Sequence, residues 1–171
     1  GEIPDLEVEK YIGRKEARRL PRSAQVALAS AIQAVADAGL PETMPETERA
    51  SVVFGTAIGG YEKIDEGIQI LRTQGYERVN PFTVPGGIPN LSAFLIARQF
   101  QCHGPNSTIV TACATGTQAI GEAAELIRRG VADVVITGGT EALIRDFSIA
   151  GFCAMRALPT SYNDAPELAS R

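Results

Sequence analysis

The sequence predicts an α/β fold, and three observations carry that expectation. Short β-branched runs end at glycine or at a cluster of small residues, at 52–55 (VVFG) and 107–111 (STIVT). Apolar residues recur at helical spacing elsewhere, and residues 107–137 read as strand, helix, strand. With 171 residues, 44% of them hydrophobic and 21% charged, the chain has globular composition and can bury about two-thirds of its unfolded surface.

Taken in order, the spacing of Leu28, Ile32 and Val35 predicts a helix from Arg22 that stops at Gly39, with Pro41 just beyond. PETMPETE, residues 41–48, is polar and reads as a loop. Residues 52–56 read as a strand that runs into the glycine-rich GTAIGG. Residues 61–74 place Ile64, Ile68 and Leu71 on one side of an exposed amphipathic helix ended by Gly75. The three prolines and two glycines of NPFTVPGGIPN, residues 80–90, exclude any long regular element. Asn90 reads as the N-cap of a helix reaching Phe100, and CHGPN as a turn.

Residues 107–111 then read as a strand, 115–129 as a helix stopped by Gly130, and 133–137 as another buried strand. Two parallel strands joined by a helix make a right-handed βαβ unit, whose reactive groups belong at the carboxyl end of the first strand. Cys113 is at that end, within TACATG. Ala119, Gly121, Ala123 and Ala124 let the helix be packed closely from several sides, which predicts a place in the middle of the fold.

The reactive form of cysteine is the thiolate. A helix N-terminus stabilises negative charge by roughly 0.3–2 kcal/mol, and its N–H groups can receive the oxyanion of a tetrahedral intermediate, worth about 3 kcal/mol per well-aimed donor. Small neighbours, Ala112, Ala114, Thr115 and Gly116, leave a thioester room to approach the backbone. The competing reading makes Cys113 one more small apolar side chain in a core. A third reading is a cysteine hydrolase with His103 as base; against it, Thr111 replaces the first glycine of a nucleophile elbow and His103 is only ten residues before the thiol.

The three cysteines, Cys102, Cys113 and Cys153, match neither CxxC nor a zinc spacing, and His103 is the single imidazole, so reduced thiols and no metal site are expected. The net charge is −4, yet residues 10–22 hold six basic side chains and one acid, Glu16, which makes that stretch about +5. Lys15 and Arg19, like Arg14 and Arg18, are four apart and would share one helical face, suited to steering an anionic partner or simply to solvation. An acidic chain without interleaved aromatics is a poor nucleic-acid binder. No apolar run reaches the roughly 18 residues that cross a bilayer. The start, with Glu2, Asp5, Glu7 and Glu9, lacks the basic region of a signal peptide, so a cytoplasmic protein is expected, or a stromal one in a plastid.

Several motifs together point further: RKEARR (14–19), FGTAIGG (54–60), NPFTVP (80–85), GPNSTIVTACATGTQAIGEA (104–123), ADVVITGGTEA (132–142), GFCAMRAL (151–158) and NDAPELASR (163–171). In this order they resemble the β-ketoacyl-acyl-carrier-protein synthases, most closely the elongating type II condensing enzymes. The resemblance implies the thiolase fold, a three-layer αβα arrangement whose halves each hold a mixed five-stranded sheet. It implies that residues 1–171 are most of the first half, without its opening strand, its final strand or the second half. Cys113 then matches the nucleophile that accepts an acyl group from the carrier. Ile58 and Phe152 match positions lining the acyl pocket, and Lys15, Arg18, Arg19 and Arg156 match basic positions near the docked acidic carrier.

Further implications of the resemblance are a homodimer pairing through residues 107–111, no bound cofactor, and substrates delivered on the phosphopantetheine of acyl carrier protein. The family's two catalytic histidines and its lysine come from the second half; His103 matches none of them and reads as a turn residue. PGGIPN and LPTSYND differ from the commoner family text. TACATG lacks the glutamine of chain-length-factor partners and differs from the DTACSSS of large modular synthases, which favours a discrete enzyme. Fatty-acid elongation is the expected activity, and this piece alone is expected not to condense. A type II polyketide ketosynthase, or a silent binding or dimerisation piece, is the alternative.

Overall fold

In the computed structural model, which describes residues 3–169, a sheet of three strands organises the larger part: β1 (Ala50–Gly55), β2 (Asn106–Ile109) and β3 (Val134–Gly139). All pairings are parallel and the order is β2-β1-β3. Val53 of β1 is level with Ser107 on one side and with Thr137 on the other. The strands joined by the expected βαβ crossover therefore flank β1 and do not pair with each other. The reason is burial: β1 is buried at every residue and needs a neighbour on both edges and a layer on both faces, as central parallel strands do.

The helices are α1 (Arg14–Ala17), α2 (Arg22–Asp37), α3 (Tyr61–Gln74), α4 (Thr83–Gly87), α5 (Leu91–Phe100), α6 (Thr115–Arg128) and α7 (Asp146–Ala154). Along β1 the side chains alternate between two cores. Val52 and Phe54, with Ile136 of β3, meet Leu28, Ala31 and Val35 of α2 and Leu95, Ile96 and Phe100 of α5. Val53 meets Ala119 and Ala123 of α6 across the other face. The result is the αβα layering of the expected fold class, built on three parallel strands where the family's half would carry a mixed sheet of five.

Several local expectations change. The chain after α1 leaves the helix at Arg18, so the basic side chains do not share one long helical face; Pro21 supplies no donor and α2 restarts beyond it. Asn90 precedes α5, but its side chain makes no capping bond, because its backbone is already helical, with φ −76° and ψ −2°. The strand expected over residues 107–111 ends at Ile109. Helix α6 is not central: Thr115, Ala119 and Ala123 are buried on the sheet, whereas Ile120 and Ile127 are exposed. Its small residues serve one close face, and a side chain at Gly121 would meet nothing within 4 Å. Inside PETMPETE, Met44 is 2% exposed and its N–H bonds the Phe100 carbonyl at 3.2 Å, so an apolar anchor holds the polar loop.

The amino ends of β1 and β3 are tied by the guanidinium of Arg49. Its Nε and Nη2 donate to the two carboxylate oxygens of Asp133 at 2.5 Å, and Nη1 donates to the Gly130 carbonyl at 3.2 Å. This fork holds the Asp133 carboxyl below the usual carboxylate range. At the same end, Gly104 donates its N–H to the Ala50 carbonyl at 2.9 Å, bringing β2 in beside β1.

Residues 5–142 form this unit; Ile3, Pro4 and residues 143–169 belong to a second, smaller one. Within it, α7 exposes Phe147, Ile149 and Phe152. The helix is closed by Arg156 in the left-handed region at φ 57°, with the Arg156 N–H on the Cys153 carbonyl and the Ala157 N–H on that of Phe152. Glu2 of the acidic start and the last two residues of NDAPELASR, 170 and 171, lie outside the described residues.

Candidate active site

Because the strands are parallel, their carboxyl ends lie on one edge of the sheet, where ligand sites of open α/β sheets are built. Three loops leave that edge: GTAIGG after β1, VTACA after β2 and the Thr140–Glu141 segment after β3. They are stitched together through the backbone, the Thr56 N–H donating to the Ile109 carbonyl at 3.2 Å and the Thr140 N–H to that of Gly55 at 3.1 Å.

Cys113 sits in a single 3-10 turn, Ala112–Ala114, between β2 and the first residue of α6, and it is exposed. The chain reaches it through Ala112, whose φ of 47° is left-handed for a residue with a Cβ, at a cost of roughly 1–2 kcal/mol. A sharp strand-to-helix turn of this kind lifts the residue at its tip above the sheet. Thr115 fixes the turn: its hydroxyl accepts the Thr111 N–H at 2.8 Å, and its methyl presses on Gly55. A Cβ on Gly55 would lie 2.2 Å from that methyl, so the close approach of β1 to α6 requires glycine here. No side chain caps α6, which leaves the polar end of the helix beside an open thiol.

The thiols differ in kind. Cys102, in the turn before β2, is 6% exposed, and burial pushes its pKa up. It is the small core hydrophobe that the competing reading assigned to Cys113. His103 lies in the same turn, its Nδ1 3.8 Å from a Glu48 carboxylate oxygen. The four residues of β2, about 13 Å at the usual rise, separate His103 from the Cys113 loop. A general base must come within about 3 Å of the group it deprotonates, so this geometry does not support the hydrolase reading.

Ile58 is 45% exposed in the turn after β1, on the same edge as Cys113. That turn is held by a residue the sequence reading passed over: Glu141 accepts from the Thr56 hydroxyl and from the N–H groups of Ala57 and Ile58. No local signal marks Glu141, since its partners are 83 to 85 residues away; only the register of β3 beside β1 brings them together. Phe152, 43% exposed, and Arg156 belong to the smaller unit described above.

The basic stretch borders a groove of about 730 Å³ with an apolar floor of Leu20, Phe82 and Phe94 and a rim that includes Arg14, Lys15 and Arg19. The Arg19 guanidinium lies 4.6 Å from the Phe82 ring centroid, a cation–π contact that orients it at the rim. Glu16 pairs with Arg98 across the groove, which leaves the other cations of the rim a net positive field. Arg18 is exposed outside the groove lining.

The β-ketoacyl synthase N-terminal-domain model matches residues 7–171. The chain belongs to the β-ketoacyl synthase family. It is 44% identical over its whole length to 3-oxoacyl-[acyl-carrier-protein] synthase 2 of Staphylococcus aureus, and 44% identical over 164 residues to the synthase of the same name from Rhizobium meliloti. It spans 42% and 39% of those relatives, so about two-fifths of their length. A crystal structure of a β-ketoacyl synthase from Burkholderia phymatum superposes with a TM-score of 0.80 at 26% identity, covering all of this chain and 41% of that one. A type II polyketide ketosynthase, solved in complex with its acyl-carrier protein, gives a TM-score of 0.81 at 23% identity over 88% of this chain and 43% of that one, a likeness of fold. The family's thiolase-like architecture is therefore the fold of this chain, present in part.

Proposed function

We propose that the intact protein is a condensing enzyme of fatty-acid elongation, with Cys113 as its acyl-accepting nucleophile. The observation that carries this is the exposed thiol on a strained turn between a parallel strand and an uncapped helix. The Cys113 sulfur attacks the carbonyl carbon of an acyl thioester on the carrier's phosphopantetheine, and the tetrahedral intermediate collapses with loss of the phosphopantetheine thiol. Malonyl-carrier then loses carbon dioxide, its carbanion forms a C–C bond to the acyl carbonyl carbon, and the Cys113 thiolate leaves. Ile58 and Phe152 line the acyl chain in this reading.

Lys15, Arg18, Arg19 and Arg156 receive the acidic carrier; the cationic groove rim and the exposure of Arg18 and Arg156 support that part. A homodimer through β2 is supported by its open edge in the order β2-β1-β3 and by the neighbouring exposed Val110 and Ile120. A cytoplasmic protein accords with the described residues, among which no helix is long and apolar enough to cross a membrane.

The test is acyl transfer from an acyl-carrier thioester to the protein, read by intact mass and peptide mapping. One acyl adduct on Cys113, lost in Cys113→Ala, is expected; an unmodified thiol in a folded protein refutes the reading. Residues 1–171 are expected to give no ketoacyl product from malonyl-carrier, because the chain's single histidine, His103, stands on the far side of β2 from the thiol.

A further inference from the structure

Glu141 lies two residues beyond β3, and its carboxylate ends in the turn after β1. One oxygen accepts the Thr56 hydroxyl at 3.0 Å; the other accepts the N–H of Ala57 at 2.6 Å and that of Ile58 at 3.1 Å. The Thr56 hydroxyl oxygen in turn accepts the Gly59 N–H at 3.0 Å. Two successive backbone N–H groups aimed at one point make an anion-receiving concavity, and here the protein's own carboxylate fills it. Bonds to an ionised acceptor are roughly twice as strong as neutral ones.

The far end of the turn is braced by shape. Gly59 has φ +81°, and a Cβ there would fall 2.9 Å from the Pro89 Cα; one on Gly60 would fall 2.1 Å from the Gly86 carbonyl oxygen. Ile58 is the exposed residue between a charged anchor on one side and a glycine contact on the other. Rotation of the turn would have to break the bonds to Glu141 first.

We propose that Glu141 is a positioning residue for acyl-chain selection, holding the turn so that the Ile58 side chain keeps one place on the edge that carries Cys113. This rests on the reading of Cys113 as acyl acceptor and Ile58 as a wall of the acyl site. Glu141 acts through the turn and not on the thiol. Loss of the carboxylate lets Ile58 take several positions, and discrimination between acyl lengths weakens while the sulfur keeps its reactivity.

The test uses the intact enzyme that carries this sequence, as E141A, E141Q and T56V beside the unsubstituted form. Acylation rates of Cys113 are measured with a short and a long saturated acyl-carrier thioester, and alkylation by iodoacetamide reports on the thiol alone. In E141A the long-to-short ratio is expected to shift at least about fivefold, the scale on which an apolar wall discriminates chain length, with alkylation within about twofold of native. E141Q is expected between E141A and native, since a carboxamide oxygen still accepts from Ala57 and Ile58. T56V removes both the donor to Glu141 and the acceptor for Gly59, and is expected to move the ratio as E141A does; it carries the test if E141A does not fold. A native ratio in either folded variant overturns the proposal alone, even if overall rates fall. Absence of any acyl adduct on the unsubstituted enzyme overturns it together with the proposed function.

Discussion

Replacing Gly55 by alanine tests the close contact on which the Cys113 turn is built. The new Cβ would stand 2.2 Å from the Thr115 methyl and 3.3 Å from the Thr115 carbonyl oxygen. Ordinary contact begins at 3.4 Å, so the methyl must retreat by about 1.2 Å. Rotation of Thr115 would relieve the clash, but it would withdraw the hydroxyl that accepts the Thr111 N–H at 2.8 Å. Overpacking of a tight site costs about 1–3 kcal/mol and the lost hydrogen bond about 1 kcal/mol, so Gly55→Ala is expected to destabilise by about 2–4 kcal/mol.

Urea unfolding of the two proteins measures this directly. Thr115→Ser supplies the second arm, because serine keeps the hydroxyl and lacks the methyl that clashes. The double variant Gly55→Ala, Thr115→Ser is expected to recover most of the loss, giving a coupling energy well above the roughly 0.5 kcal/mol within which independent sites add. If the single variant unfolds within about 0.5 kcal/mol of the native protein, or serine fails to rescue it, the account of Gly55 and Thr115 as one packed unit is wrong.

Limited alkylation at neutral pH is expected to modify exposed Cys113 well before buried Cys102, whose pKa is raised by burial; peptide mapping after a short pulse of iodoacetamide checks the order. Arg49 holds the Asp133 pKa below its unfolded value, so this pair's contribution to stability is complete above the ordinary aspartate range and is lost as pH falls through the lowered folded value. The Tm of Asp133→Asn is therefore expected to lie below native near neutrality and to converge on it in acid. If the proposed intact enzyme takes acyl groups from a carrier, charge reversal of Lys15 and Arg19 together is expected to lower its rate of Cys113 acylation by acyl-carrier thioester about tenfold at low salt, with less effect at high salt and little with a small acyl thioester; an equal loss with both substrates would remove the rim from carrier recognition.

What could be read from the residues was what neighbours in sequence decide. The β-branched run at 52–55, the helical spacing of Leu28, Ile32 and Val35, and the glycine stop at Gly130 each carry their structure locally, and each element is where it was expected within a residue or two. Strand order is not local: β1 takes the centre because its two faces need α2 with α5 and α6 to cover them, and no property of residues 107–137 alone reveals a third strand between the first two. The place of α6 is not local either, since small residues signal close approach but not from how many sides. Asn90 has the right residue type for a cap and the wrong backbone angles. The loops that carry Cys113 and Ile58 are legible as glycine-rich or small-residue ends of strands, whereas the hold of Glu141 on the first of them is not, because a carboxylate after a strand has no distinguishing neighbour until the sheet forms.

The bidentate grip of Arg49 on Asp133 has a consequence for how such a domain can diversify. It fastens the sheet at the margin opposite the thiol, through a contact that shares no residue with the loops at the carboxyl margin. Within GTAIGG the glycines at 55, 59 and 60 leave no room for a side chain, so bulk can vary at the exposed Ile58 while the framework beneath stays the same.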